Sequence, residues 1–153
     1  MPELRGKPPP PESPLWKLWN ALTRAHALAY RVSGGTIGAR NAGMPILLLD
    51  HIGRRSEKRR TSPLQYMPDG DDLVIVASKG GSPKHPAWWL NLREAPSTTV
   101  QVRRERRAVV ARQASPEEKT RLWPALVNLY APYADYQART SRDIPVVILT
   151  RAH

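Results

Sequence analysis

RTSPLQYMPDGDDLVIVAS, residues 60–78, predicts two β-strands joined by a tight turn. Asp69-Gly70 supplies the turn, because an Asp-Gly pair readily adopts the positive φ angles that a hairpin needs. Residues 60–67 form the first strand, in which Pro63 indicates a sheet edge or a bulge, since proline cannot donate to a ladder. Residues 73–78, a nearly continuous apolar run, form the second strand. The stretch therefore indicates an antiparallel sheet.

Four further segments have the composition of short strands. They are residues 45–50, 98–103, 107–113 and 144–150. Helices are predicted between the strands at 86–92 and, opened by the capping box Ser115-Pro116-Glu117-Glu118, through residue 129. Six short strands, mostly linked by hairpins and with helices segregated between them, favour a small antiparallel barrel over a doubly wound sheet. The predicted class is α+β, mainly β, with flanking helices.

The N-terminal part of the chain has a different pattern. Residues 1–12 include four consecutive prolines and predict a flexible extended arm. Over residues 13–31, Leu and Trp recur at helical spacing with Lys and Arg between them, which predicts an amphipathic helix. This helix either packs its Trp/Leu face on the domain at 44–153 or lies on an anionic membrane surface. The membrane hypothesis places Trp16 and Trp19 at the level of the lipid headgroups.

Composition limits the classes of function. The chain has 153 residues, which suits one domain, and a formal net charge of +11, which indicates anionic partners. The absence of Cys excludes disulfides, thiolate catalysis and iron–sulfur ligation. The four His lack metal-ligand spacing, and no nucleotide-binding glycine loop or nucleophile elbow is present. We expect neither a metal nor a protein nucleophile. Because no signal peptide or membrane-spanning run is predicted, we expect a cytoplasmic location.

Three segments carry the remaining chemistry. Residues 53–63 (GRRSEKRRTSP) place five cations on a turn, where Arg can bind phosphate or carboxylates in bidentate fashion. In residues 77–91 (ASKGGSPKHPAWWLN), two Gly let backbone amides approach a ligand, and Ser78 can donate to a ring carbonyl. Residues 130–136 (YAPYADY) gather three Tyr in a predicted loop between the last helix and the last strand.

These segments resemble, in order and spacing, the family of deazaflavin (F420)-dependent nitroreductases and F420H2-dependent quinone reductases. The resemblance covers about residues 44–150 and rests on GRRS at 53–56, RTSPL at 60–64, ASKGG at 77–81, PKHPAW at 83–88 and Tyr130-x-x-Tyr133-x-Asp135-Tyr136-Gln137. It implies a split β-barrel and an oxidoreductase whose hydride donor is reduced coenzyme F420, an 8-hydroxy-5-deazaflavin with a phospholactyl-oligoglutamate tail. The implied acceptors are menaquinone-like quinones or nitroaromatic compounds.

The resemblance also implies the residues of the site. The cofactor-binding residues that it implies are Arg54, Arg55, Ser56, Arg60, Thr61, Ser62, Pro63, Leu64, Ala77, Ser78, Lys79, Gly80, Ala87, Trp88, Trp89, Leu90 and Asn91. Those in the basic turn line the phosphate and tail, residues 77–79 border the deazaflavin, and Ala87, Trp88 and Asn91 close the pocket. The implied acceptor-binding residues are Gln65, Tyr130, Tyr133 and Tyr136. Ser78 and Tyr133 are the candidates for hydrogen-bonding or protonating the reduced acceptor.

Two departures from the family pattern affect these expectations. The basic turn has Glu57 and Arg59 where the family usually has Gly and Pro, so a different turn shape and some repulsion of the acidic tail are expected. Gln65 stands where some members present an aromatic or apolar residue to the acceptor.

Two other functions stay open from the sequence. One is a related split-barrel protein that binds a flavin or a haem-derived ligand. The other is a basic nucleic-acid-binding module, which is disfavoured because the cations and aromatics lie in cofactor-type motifs instead of alternating along strands. No nucleic-acid partner is therefore expected. A peripheral contact with the inner face of the cell membrane is expected if the acceptor is a lipid-soluble quinone.

Overall fold

The computed structural model describes residues 13–33, 40–41 and 44–152. The arm predicted at residues 1–12 lies outside them. Within the described ranges the chain forms four α-helices and eight β-strands. In chain order these are α1 (Trp16–Ser33), β1 (Arg40–Asn41), β2 (Met44–Ile52), β3 (Arg59–Gln65), β4 (Met67–Asp69), β5 (Asp72–Val76), α2 (Ala87–Glu94), β6 (Ser97–Val102), β7 (Glu105–Gln113), α3 (Pro116–Leu129), α4 (Pro132–Arg139) and β8 (Val146–Arg151).

The strands form one antiparallel sheet that curls back on itself. Its order is β1-β2-β6-β7-β8-β5-β4, and β3 pairs with β2. Only Tyr66 separates β3 from β4, so one segment pairs with β2 through its first part and with β5 through its last. The Tyr66 amide donates to the Pro45 carbonyl at this break. The β3–β4 segment thereby joins the two ends of the strand order and closes the sheet, which confirms the predicted barrel. The strand predicted at 60–67 is divided in two.

Alternation along the strands explains the continuous apolar runs. Leu73 and Ile75 of β5 lie in one buried cluster with residues of β2 and α2. Val74 and Val76 point the opposite way, into a second cluster beneath α3 and α4. Both faces of β5 are therefore buried, and a strand buried on both faces needs no polar residue at alternate positions.

Helix α1 packs on the barrel through one face. Ala27 and the fully buried Tyr30 contact Ile46 and Leu48 of β2. Its opposite face is apolar but exposed. No helix in the described ranges is long and apolar enough to cross a membrane.

One predicted loop is a helix. The tyrosine segment, expected as a loop, forms α4 with Pro132 in its first turn. Proline is favoured there because the amide it lacks would have no partner in the first turn. The capping box before α3 is confirmed, since the Ser115 side chain accepts from the Glu118 amide and the Glu118 side chain accepts from the Ser115 amide.

Candidate functional site

A cleft of about 1540 Å³ lies between α1 and the barrel. β3 and residues 78–88 form its inner wall, and a cluster of tyrosines closes one end. Seven Lys or Arg residues line it, whereas its described lining contains no Asp or Glu. These cations are Lys17, Arg24, Arg31, Arg59, Arg60, Lys79 and Lys84. The cleft is therefore strongly attractive to anions.

The basic turn is the β2–β3 connection. The Gly53 amide donates to the Lys58 carbonyl at 2.9 Å, and Glu57 adopts a φ of +59°. That left-handed region favours glycine, so Glu57 holds a strained conformation. Within the described part of the chain, the side chains of Arg55, Lys58 and Arg60 make no ion pair. Their charges remain available to a ligand.

Arg59, which with Glu57 departs from the family pattern in the basic turn, points away from the turn to the buried carboxylate of Asp50. That carboxylate also accepts from Arg31 of α1 at 2.9 Å, from Thr61 at 2.8 Å and from Arg106 of β7 at 3.2 Å. Burial would raise the pKa of Asp50, but the hydrogen bonds from Arg59 and Thr61 and the charge of Arg31 hold it below its usual value. Asp50 thus fastens α1 to the barrel.

A second polar group begins at the inner wall with Ser62 and His51 and continues behind it to Asn91. His51 Nε2 is 2.9 Å from Ser62 Oγ, and its Nδ1 is 2.9 Å from the amide nitrogen of Asn91. Burial and the charge of Arg60 lower the pKa of His51 to about 4, so the ring is neutral at pH 7. Asn91, expected to close the pocket, lies instead in this buried group and is 3% exposed. The spacing of the four His gave no reason to expect a role for His51. The one signal in the sequence is the polar pair Asp50-His51, which follows the apolar residues of β2.

Arg142 holds the loop that follows β5, and nothing in the sequence pointed to it. Its guanidinium donates to the carbonyls of Ala77 at 3.2 Å, Ser78 at 2.7 Å and Ser82 at 2.8 Å. The Ser78 hydroxyl makes no hydrogen bond with the described residues. It is therefore free to donate into the cleft from a fixed backbone.

One of the two glycines of this loop, Gly81, differs from the expectation. The Gly81 amide donates to the Ser78 carbonyl and is not offered to a ligand. Gly81 is required for another reason, because a Cβ there would lie 2.7 Å from the Tyr136 carbonyl oxygen. Lys79, two residues before Gly81, has a φ of +44°, and its Nζ lies 5.7 Å from the centroid of the Trp16 ring.

The tyrosine cluster joins α3, α4 and β3. Tyr130 and Tyr133 have ring centroids 4.9 Å apart, and the hydroxyls of Tyr130 and Tyr136 are 3.1 Å apart. The Tyr133 hydroxyl donates to Gln65 at 3.3 Å. Burial raises the pKa of Tyr133 and of Tyr136. At neutral pH these phenols are hydrogen-bonding groups and poor acids.

Most of the predicted site residues line the cleft. They are Arg60, Thr61, Ser62, Pro63, Leu64, Gln65, Ser78, Lys79, Gly80, Ala87, Trp88, Tyr130, Tyr133 and Tyr136. The lining also includes Trp16 and Trp19, which the membrane hypothesis placed at the headgroups. That placement is wrong, because both side chains are half-buried on the barrel side of α1.

Seven predicted residues do not line the cleft. They are Arg54, Arg55, Ser56, Ala77, Trp89, Leu90 and Asn91. The first three lie in the exposed basic turn. Trp89 is 3% exposed and belongs to the barrel core. Neighbouring residues of a helix point about 100° apart, so Trp88 and Trp89 cannot face the same cleft.

Comparison with known proteins follows this geometry. The chain matches the family described as F420H(2)-dependent quinone reductase over residues 22–151. An F420H(2)-dependent quinone reductase of Mycobacterium tuberculosis is 43% identical over 134 residues, 85% of this chain and 90% of that protein. A solved F420-H2 dependent reductase is 40% identical with a TM-score of 0.63, and the match covers 69% of this chain and 93% of that one.

A more distant solved structure is similar in fold alone. The heme storage protein HutZ of Vibrio cholerae is 11% identical, has a TM-score of 0.52 and is matched over 71% of this chain and 82% of that one. At that identity the likeness says nothing about a haem-type ligand here. The family resemblance seen in the sequence motifs is confirmed by the closer matches.

Proposed function

This chain belongs to the F420H(2)-dependent quinone reductase family, and from this premise we propose that its cleft binds reduced coenzyme F420 beside a menaquinone-like or nitroaromatic acceptor. As a member of the family it is an oxidoreductase that uses F420H2 to reduce quinone-type acceptors. The identity of the acceptor and the roles of individual residues are the proposed part.

The observation that carries the proposal is the charge of the cleft. Seven cations line it, and its described lining has no carboxylate. Two of the seven, Arg31 and Arg59, are paired with the buried Asp50, so the other five carry the attraction for an anion. F420 has a phosphate and several glutamate carboxylates in its tail, so the donor set fits an elongated anion with a planar ring at one end. Pro63, Leu64 and Trp88 supply apolar surface for that ring. The residues present therefore fit the cofactor.

We assign each residue a role in cofactor binding from its position. Arg60 in the cleft and Arg55 in the exposed basic turn outside its lining bind the tail, while Pro63, Leu64 and Trp88 contact the ring. When bound, reduced F420 supplies the hydride that the acceptor takes up. The protein aligns the two reactants and excludes water, which needs no nucleophile.

The acceptor side is formed by the tyrosine cluster and Gln65. Tyr133 donates to Gln65, and this hydrogen bond orients the amide toward the acceptor region. The Ser78 hydroxyl is the donor that we assign to the oxygen of the reduced acceptor. Because burial raises the pKa of Tyr133, we assign it an orienting role and leave the acceptor's proton to water or buffer.

The tail site is tested by replacing both free arginines. Arg55→Ala and Arg60→Ala should each weaken F420 binding by about 1.5–3 kcal/mol, the contribution of a hydrogen bond to a charged group. Absorbance titration with F420 measures the Kd, and the loss should shrink at high salt. The control removes equal charge at exposed ion pairs, Arg121→Ala and Arg151→Ala. A double variant at Arg55 and Arg60 that keeps the wild-type Kd would move the tail elsewhere.

A peripheral membrane contact is proposed for the outer face of α1. Leu15 and Leu18 are each 58% exposed, Leu28 is 64% exposed and Val32 is 79% exposed. Leu18, Leu28 and Val32 lie on α1, and Leu15 immediately precedes it. Leu28 and the exposed Lys17 stand at the border with the cleft, whose lining includes both. An apolar stripe beside basic residues is typical of helices that lie in the membrane interface. A quinone reductase on the membrane would meet its acceptor there.

Point substitutions test this contact better than deletion, because α1 also packs on the barrel. Leu15→Glu with Leu18→Glu should abolish binding to vesicles that contain anionic lipid, measured by co-sedimentation. Leu129→Glu is the control, since Leu129 is 50% exposed on α3. Equal sedimentation of both variants, or none for the wild type, would contradict the contact.

A further inference from the structure

A polar chain leads from the inner wall of the cleft to the basic turn. It runs from Ser62 on β3 through His51 on β2 to Asn91 on α2, and ends at Arg54 in the basic turn. Asn91 is 3% exposed and lies outside the lining of the cleft, whereas Ser62 and the 5%-exposed His51 both belong to that lining. Such buried groups need a defined partner for each polar atom.

The direction of these hydrogen bonds follows from Arg54. Asn91 Oδ1 receives the Arg54 amide at 3.1 Å and the Arg54 Nη1 at 3.3 Å. Both are donors, so the oxygen of the Asn91 amide must face Arg54 and its NH2 must face His51. His51 Nδ1 therefore accepts, and the neutral ring has its proton on Nε2. That proton is donated to Ser62 Oγ, 2.9 Å away.

This direction determines what Ser62 can do. One lone pair of its oxygen accepts the His51 proton, and its own hydroxyl proton has no acceptor among the described residues. Ser62 also lies on the same strand face as Arg60, because side chains two apart in a strand point the same way. Both line the cleft. A hydroxyl donor next to a guanidinium suits an anionic oxygen.

We propose that His51 and Asn91 are positioning residues that make Ser62 a hydrogen-bond donor to a phosphate oxygen of the F420 tail. The proposal rests on the proposed function for its ligand. The proton position on His51 stands independently of that ligand, so the two can fail separately.

Two ligands, F420 and a deazaflavin that lacks the phosphate and tail, separate a role specific to the phosphate from a role in maintaining the fold. Ser62→Ala should weaken F420 binding about tenfold or more and leave the tail-less compound unchanged. His51→Phe should have a similar effect, and the double variant should be no weaker than Ser62→Ala. His51→Gln, whose amide can still donate to Ser62, should restore most of the affinity. Thr120→Val, which removes an exposed hydroxyl on α3, is the control.

The second readout needs no cofactor. Nitrogen-15 NMR of the histidine rings, with His51 assigned by its loss in His51→Gln, should show a protonated Nε2 and a bare Nδ1 at pH 7. A protonated Nδ1, or additive losses for Ser62→Ala and His51→Phe, would overturn the proposal even if one variant folds poorly. A wild-type protein that binds no F420 would instead overturn the proposed function. The NMR result would still decide whether His51 donates its Nε2 proton to Ser62.

Discussion

At the residue scale, Glu57 lowers the stability of the basic turn through its backbone conformation. Its φ of +59° belongs to the left-handed region, which a residue with a Cβ occupies at a cost of about 1–2 kcal/mol. It also brings a negative charge to the turn that carries Arg55, which we assign to an acidic tail. We predict that Glu57→Gly raises the free energy of unfolding by about 1 kcal/mol and tightens F420 binding, measured by denaturant titration and absorbance titration.

Glu57→Gln separates the two effects because it keeps the strained backbone and removes the charge. This variant should improve the Kd for F420 without a gain in stability. Equal stability of Glu57→Gly and the wild type would show that the turn has no strain to release.

The residue scale is also where the sequence was least informative. Asp50 binds arginines from α1, β3 and β7, and Arg142 binds carbonyls about 60 positions away. No local pattern encodes such pairings, because they depend on how distant elements pack. The place of Ser78 and Lys79 in the lining of the cleft was predictable, because they are adjacent in sequence and lie in one loop.

At the element scale, the contact between α4 and the loop after β5 depends on Gly81. Its φ is +80°, and a Cβ would lie 2.7 Å from the Tyr136 carbonyl oxygen and 3.0 Å from Arg139 Cβ. We predict that Gly81→Ala lowers the free energy of unfolding by about 3 kcal/mol, from backbone strain and overpacking together. It should also disturb the tyrosine cluster and slow quinone reduction.

Gly70→Ala is the matched control for this prediction. Gly70 has a φ of +59° but nothing within 4 Å of the added Cβ, so only the backbone cost of about 1 kcal/mol is expected. Denaturant unfolding of the two variants measures the difference. Equal losses would show that packing on α4 contributes nothing.

Elements were predicted well where their signals are local. The Asp-Gly turn, the capping box and alternating or continuous apolar runs identified the hairpins and α3. The tyrosine segment was wrongly interpreted as a loop, because a helix of eight residues has too few positions to show a clear period. The sequence could not predict which side of α1 faces the barrel, because apolar residues occupy most of the circumference of this helix.

At the scale of the whole molecule, the buried groups on β2 couple stability to pH. The pKa of His51 is lowered to about 4, so the unfolded chain binds a proton that the folded one does not between about pH 6.5 and 4. Stability should therefore fall as pH drops through this window. The loss from His51 is about 3 kcal/mol at most. Asp50, whose pKa is lowered, adds a further loss below about pH 4.

Thermal unfolding across pH 4–8 checks this linkage. His51→Gln should flatten the profile between pH 6.5 and 4 while leaving the loss at lower pH. A wild-type Tm that does not change from pH 7 to pH 4.5 would contradict the buried neutral histidine.

The barrel itself was predictable because its strands are linked by short hairpins, whereas its closure depends on the break at Tyr66 that lets one segment pair on two sides. The cleft arises only when α1 lies across that segment, held by Asp50. The central claim is that this cleft brings F420H2 and a quinone together.

Anaerobic mixing of the protein with F420H2 and a soluble naphthoquinone tests that claim most directly. The return of oxidised F420 absorbance gives the rate. We predict a rate that rises with protein concentration, saturates with F420H2 and requires a higher F420H2 concentration for half-saturation in the Arg55→Ala/Arg60→Ala variant. A rate equal to that of the protein-free mixture would contradict the account.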